Sequence, residues 1–108
     1  YADGNQITQV ILNLLKNAAG AIGTREGGVI ALSAFCNDEE HVIVDVANNG
    51  EPISEEVSQH IFVPFFTTKE HGSGIGLSVS RQIMRLHRGS LKLQHSTPRE
   101  TRFRLVFR

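Results

Sequence analysis

Three glycines alternate at Gly72, Gly74 and Gly76, directly ahead of a helical pattern, and Lys69 stands a few residues upstream. Glycine lets backbone N–H groups approach a ligand closely. A helix start adds unpaired donors and a positive dipole end, which together suit an anion. The string therefore fits a phosphate-binding loop with a lysine cation beside it; a flexible glycine-rich connector would look the same. Two familiar phosphate loops are excluded. No G-x-x-x-x-G-K-[ST] occurs, and the dinucleotide fingerprint needs G-x-G-x-x-G directly after a strand. Here the preceding run, Val63-Pro64-Phe65-Phe66-Thr67-Thr68, contains proline and reads as loop.

A second candidate lies near the start of the chain. Asn13 and Asn17 are four residues apart, so on a helix their amides point the same way one turn apart. Asparagine is a mediocre helix former. Two of them bordering an apolar face suit work for side-chain oxygens, such as holding a hard cation; the same pair also fits a plain polar helix face. A third candidate is Asn48-Asn49-Gly50-Glu51-Pro52-Ile53. It predicts an αL or turn backbone that either merely reverses the chain or brings backbone and an amide against a ligand.

The elements that position these residues follow from periodicity. Ile7, Val10, Ile11, Leu14, Leu15, Ala18 and Ile22 form one wide apolar face, which predicts a first helix capped by Asp3 or Asn5 and running to about Ile22. Gln6, Gln9, Asn13, Lys16, Asn17 and Gly20 fall on the neighbouring polar stripe. Residues 29–36 and 41–47 alternate as strands around the polar turn Asn37-Asp38-Glu39-Glu40, giving a hairpin. Ile30, Leu32, Ala34 and Cys36 share one face, as do Val42, Val44 and Val46. Ser54 caps a short helix with Glu55 and Glu56 in its first turn. The phenylalanines of Phe62-Val63-Pro64-Phe65-Phe66 read most simply as core. After the glycine loop, Ile75, Val79, Ile83 and Leu86 mark a third helix that stops near Gly89. Two last strands carry Leu91 and Leu93, then Phe103, Leu105 and Phe107, joined at Ser96-Thr97-Pro98. Strands do not alternate singly with helices, which speaks against a doubly wound fold. The order predicts one α/β domain over 1–108: a two-layer sandwich of a mixed, mostly antiparallel sheet with about three helices on one face.

The 108 residues suffice for one core, and no apolar run could span a membrane. A single Cys36 excludes an internal disulfide. The chain begins at Tyr1 and its only methionine is Met84, which reads as an excised fragment. Net charge is zero but uneven: residues 1–80 carry three Lys/Arg and ten Asp/Glu, residues 81–108 eight and one. The basic tail does not read as a nucleic-acid surface. Arg81, Arg85 and Arg88 have the spacing of a solvated helix face, Arg102 and Arg104 that of the outer face of a strand, and stacking aromatics are not interleaved with them.

Taken together, these motifs resemble the ATP-binding catalytic domain of bacterial sensor histidine kinases, within the wider group shared with type II topoisomerases, heat-shock chaperones and mismatch-repair ATPases (the GHKL, or Bergerat-fold, ATPases). Residues 9–18 look like the N box, 48–53 the first glycine box, 62–66 the F box and 72–77 the second glycine box, in the expected order and over nearly the whole chain. The short segment Thr67 to Ser73 is similar to the lid of nitrogen-regulation-type kinases. The resemblance implies that Asn17 is the main Mg²⁺ ligand with Asn13 nearby, and that Lys69 and the backbone of Gly72, Gly74 and Gly76 hold the phosphates of ATP, with Lys16 assisting. It implies Asn48 facing the adenine amine, with Gly50 allowing close approach of the base. Ile53, Phe65, Thr68, Ile75 and Leu77 would complete the nucleotide site, and Asn13 and Lys69 would act in catalysis. The γ-phosphoryl would pass to a histidine on the protein's own separate dimerisation domain, and onward signalling would involve a response regulator. The full-length protein would be a homodimer, its catalytic domain cytoplasmic, with attachment to the inner membrane left open. No nucleic acid is implied.

The chain departs from the family pattern in three places. Asn48 stands where Asp is usual, Pro52 replaces a glycine, and the usual His-Gly-Gly reads His87-Arg88-Gly89. An amide differs from a carboxylate in offering an NH₂ donor as well as an acceptor. An amide can face adenine, or flip to face the reversed pattern of guanine, whereas a carboxylate cannot, which predicts retained ATP binding with less discrimination against GTP. None of the five histidines lies in a phosphoacceptor motif. A related ATPase or serine kinase of the same fold, and a module that no longer binds ATP, are the alternative readings.

Overall fold

The computed structural model describes residues 4–63 and 76–108. The elements, in chain order, are α1 (Gly4–Ile22), β1 (Ile30–Cys36), β2 (Val42–Asn48), α2 (Glu55–Ser58), α3 (Gly76–Leu86), β3 (Ser90–Ser96) and β4 (Thr101–Phe107). The strands form one sheet in the order β1-β2-β4-β3, with every neighbouring pair antiparallel. The expected mixed sheet is thus wholly antiparallel among the described residues. No helix is long and apolar enough to cross a membrane among these residues.

α1 and α3 pack on each other and on the sheet. The shared core joins Val10, Leu14 and Ala18 of α1 and Ile83 and Met84 of α3 to Val46, Leu91, Phe103 and Leu105 of the strands. Period 3.6 on the helices and period 2 on the strands put these residues on facing surfaces. Burying them from water is the main favourable term holding the layers together.

Two expectations are corrected and a third is narrowed. β1 alternates as a strand should, yet all seven of its residues are exposed, with Leu32 at 53%. It is the sheet edge, and neither face of it is covered. On α3 the buried residues are Ser80, Ile83 and Met84, with Leu77 packed alongside; Val79 and Leu86 face outward, Leu86 at 70% exposure. The stripe drawn through Val79 and Leu86 is rotated from the real contact face. Finally, of the two backbones expected at Asn48–Gly50, αL or turn, the turn forms and αL does not. The positive-φ residues described are Gly23, Gly27, Glu40 and Arg88, and Asn48 is the last residue of β2.

α3 ends in a Schellman motif, with Gly89 N–H donating to Met84 O at 2.8 Å and Arg88 N–H to Arg85 O at 3.0 Å. The αL position belongs to Arg88, at φ 60°. Gly89 is required for another reason: a Cβ there would lie 2.4 Å from Val106 O.

Candidate functional site

The middle of α1 faces the start of α3. Asn13 Nδ2 donates to Gly76 O at 3.3 Å and to Ser80 Oγ at 3.1 Å. A carbonyl can only accept, so the Gly76 contact sets the orientation of the amide: nitrogen toward α3, oxygen left as an acceptor. Ser80 is fully buried on the α3 face that meets α1. Asn17 lies one turn further along α1 and is half-buried, while Lys16 beside it is exposed. Among the described residues no cluster of three His, Cys, Asp or Glu could hold a metal. Of the described residues here, Asn13 and Asn17 could offer a metal neutral amide oxygens, the remaining ligands being oxygens brought by a bound molecule. That donor set fits Mg²⁺, which takes few protein ligands and keeps phosphate and water oxygens.

The second part of the site is the segment after β2. Asn48 is only 4% exposed and its Oδ1 accepts from Gly50 N at 2.8 Å, an Asx turn, the turn alternative of the expected αL or turn backbone. Asn49 is a clamp. Its Oδ1 accepts from Val29 N at 2.7 Å, its Nδ2 donates to Gly27 O at 2.9 Å, and its own N–H reaches Val29 O at 3.3 Å. Glu51 N–H donates to Ala21 O at 3.0 Å, at the end of α1. Gly50 is pressed against the same helix end, where a Cβ would stand 2.5 Å from Ala21 C and 2.6 Å from its oxygen. The packing that demands glycine here is thus with α1. On the far side Ile53 N–H donates to Ser96 Oγ at 2.7 Å, and Ser96 Oγ lies 2.6 Å from Thr101 Oγ1. Thr101 pairs with Asn48 in the β2–β4 register and is buried.

The structure therefore brings Asn13, Gly76 and Ser80 to one helix–helix junction, with Asn17 one turn further along α1 and Leu77 next to Gly76 on α3, and joins Asn48, Gly50 and Ile53 to the end of the helix that carries the two asparagines. Leu77 and Ile53 are half-buried against the core. Phe65, Thr68, Lys69, Gly72, Gly74 and Ile75 lie outside the described residues. Four residues of this region were not foreseen: Asn49, Ser80, Ser96 and Thr101. Asn49 and Ser96 stood within strings already singled out, but without a role; Ser80 showed only as a polar residue in phase with Leu77, Ile83 and Met84.

The outer face of the sheet carries a separate polar network. Asp45, 1% exposed, accepts from Arg102 Nη1, Arg104 Nε and Arg104 Nη2, each at 2.8 Å. Arg102 also holds Glu100, which lies 2.6 Å from His95 Nε2. The Arg104 guanidinium, then burial against it and the Arg102 bond, leave the Asp45 carboxyl below its ordinary value. Arg102 and His95 lower Glu100 likewise. These bonds engage Arg102 and Arg104, two of the eight basic residues of the tail.

The chain is similar to known proteins over nearly its whole length. The family model described as "Histidine kinase-, DNA gyrase B-, and HSP90-like ATPase" matches residues 2–108. Sporulation kinase D of Bacillus subtilis is 41% identical over 97 residues, 90% of this chain and 19% of that protein. Sensor histidine kinase ZraS of Salmonella typhimurium is 40% identical over 93 residues, 86% of this chain and 20% of that one. The chain thus spans about a fifth of each of these two relatives. Among solved structures, a nucleotide-free catalytic domain of histidine kinase ThkA superposes with a TM-score of 0.84 at 38% identity, covering 98% of this chain and 68% of that one.

Proposed function

The chain belongs to the histidine kinase-, DNA gyrase B- and HSP90-like ATPase family, and from that premise we propose that it binds Mg-ATP and donates the γ-phosphoryl to a histidine on a separate dimerisation domain of a longer sensor kinase. The observation that carries this reading is the pair of bonds from Asn13 to Gly76 and Ser80. They join the asparagine stripe of α1 to the helix that follows the glycine loop, so metal-side and phosphate-side groups share one junction. On this reading Asn17 is the main Mg²⁺ ligand with Asn13 Oδ1 beside it, and Lys69 with the glycine-loop backbone holds the phosphates. Asn48 meets the 6-position of the purine, and Ile53 and Leu77 pack near it. Bound Mg²⁺ would neutralise phosphate charge. The chain's own residues position the nucleotide, which is most of what phosphoryl transfer asks of a protein. A response regulator is the downstream partner, and the full-length protein works as a homodimer.

Calorimetric titration with a non-hydrolysable ATP analogue tests the site. The parent chain binds in Mg²⁺. Asn17→Ala weakens binding on the order of tenfold in Mg²⁺, the scale of one charge-assisted contact, and changes it little in EDTA. Equal loss in both conditions removes Asn17 from the metal. No binding by the parent favours a module that has lost its nucleotide.

A further inference from the structure

Ser80 lies on the face of α3 that enters the core, in phase with Leu77, Ile83 and Met84, and it is 0% exposed. An alkyl side chain there would add to the core. A buried hydroxyl instead costs stability unless it is bonded. The bond found at its oxygen comes from Asn13 Nδ2, at 3.1 Å across the helix–helix junction. What the hydroxyl contributes is therefore delivered to Asn13.

The Asn13 amide has two hydrogens, and α3 offers both of their acceptors: Gly76 O at 3.3 Å and Ser80 Oγ at 3.1 Å. The first distance lies just beyond the usual range for an N–H···O bond and the second within it, so Ser80 is the firmer anchor. The two acceptors act differently. Gly76 O can only accept, which decides which end of the amide is nitrogen. The Ser80 hydroxyl holds the second hydrogen and stops the amide plane from swinging about the first bond. That torsion is soft in an unrestrained asparagine, and Asn13 is only half-buried. No hydrogen bond to Asn13 Oδ1 is found among the described residues. With both hydrogens engaged on α3, the oxygen keeps both lone pairs for a ligand.

We propose that Ser80 is a positioning residue for the metal side of the site: its buried hydroxyl fixes the Asn13 amide so that Oδ1 is presented to the Mg²⁺-nucleotide. The inference rests on the reading above in which Asn13 Oδ1 stands beside the Mg²⁺ ligand Asn17. Ser80 acts through Asn13 alone. Mg²⁺ demands near-ideal octahedral geometry, so an amide oxygen left to swing is out of place part of the time. The loss falls on the Mg²⁺ requirement. The grip on the triphosphate is supplied, on the same reading, by Lys69 and the glycine loop.

A non-hydrolysable ATP analogue is titrated calorimetrically in EDTA and at a series of Mg²⁺ concentrations, which gives the Mg²⁺ level at half of the metal-dependent gain in affinity. Ser80→Ala and Ser80→Val should raise that level about threefold to tenfold, the scale of one neutral hydrogen bond, and leave the affinity in EDTA unchanged. Ser80→Thr has the branched shape of valine but keeps the hydroxyl, and should stay within about twofold of the parent. In an Asn13→Ala background Ser80→Ala should add nothing, because the donor is already gone. Thermal melts confirm that each variant is folded, and alanine is the best helix former for the position. A Ser80→Ala variant that melts lower yet keeps the parent's Mg²⁺ requirement overturns the proposal and leaves Ser80 a structural residue. A threonine variant that shifts as far as the valine one overturns it too. If Asn13→Ala shifts the Mg²⁺ requirement while the Ser80 variants do not, the proposal alone falls. If Asn13→Ala leaves the requirement unchanged, Asn13 is not at the metal, and the reading beneath falls with the proposal. A parent chain that binds no analogue overturns the nucleotide reading itself.

Discussion

A carboxylate with 1% of its surface in water stays ionised only if its partners replace the water, and Asp45 has three charge-assisted bonds to two arginines. Arg104 grips it with two nitrogens and also lies over the Phe35 ring, 5.6 Å from its centroid. In the sequence Asp45 is only the polar beat of an alternating strand. Its importance comes from the register that sets it opposite Arg104, which a single strand does not reveal. Asp45→Asn should destabilise the fold by about 1.5–3 kcal/mol near neutral pH, the range for hydrogen bonds to a charged group. The lower end is expected because both arginines keep part of their surface in water. Asp45 is held below its ordinary value of 3.8. Its stabilisation is therefore fully present above that value and is lost as pH falls below it. Urea midpoints measured between pH 7 and pH 2 should drop for the parent below about pH 4 and drop less for Asp45→Asn. Parallel curves would show that the network does not govern acid stability.

Among elements, those with long periodic faces were legible. α1 ends at Ile22 as expected, Ser54 caps α2 by accepting from Val57 N, and both hairpins pair as read. What could not be read is which side of an element has a neighbour. β1 carries Ile30, Leu32 and Ala34 in phase, as a half-buried strand would, and is exposed throughout. At the site, α1 and β2 are ordinary elements made specific by the turn that joins their ends. Asn48, Gly50 and Ile53 were recognisable with roles in the motif, while the role of Asn49 inside it, clamping residues 27 and 29, was not. A clamp between segments 20 residues apart has no local signature. Asn49→Ala removes two side-chain hydrogen bonds and should destabilise by about 1–2 kcal/mol. Hydrogen exchange should rise at the amide of Val29, which loses its acceptor, and at Glu51 across the same turn. Unchanged exchange at Glu51 would mean that the two contacts are independent and that Asn49 holds only the loop.

At the scale of the molecule, the question is where a phosphoryl group could go. Transfer needs a ring nitrogen that is open to attack and able to reach the γ-phosphate. His87 directs Nδ1 to Ile83 O at 2.8 Å at the end of α3, and His95 Nε2 is held by Glu100 at 2.6 Å. Both serve local structure. His41 lies beside the β1–β2 turn, where its backbone N–H donates to Asn37 Oδ1, at the opposite end of β2 from Asn48. The chain is about a fifth of the length of kinases such as Sporulation kinase D, and the acceptor is proposed to be carried on a separate domain. The chain alone, incubated with γ-labelled nucleotide and Mg²⁺, should therefore take up no acid-labile label. Mixed with its own histidine-bearing helical domain, it should label that domain at a rate that rises linearly with the concentration of the chain, because the two then meet by diffusion. Removing the acceptor histidine should abolish the label without altering nucleotide binding. Acid-labile label on the isolated chain would sink this reading and move the search to His41, His60, His71, His87 and His95, to be replaced one at a time.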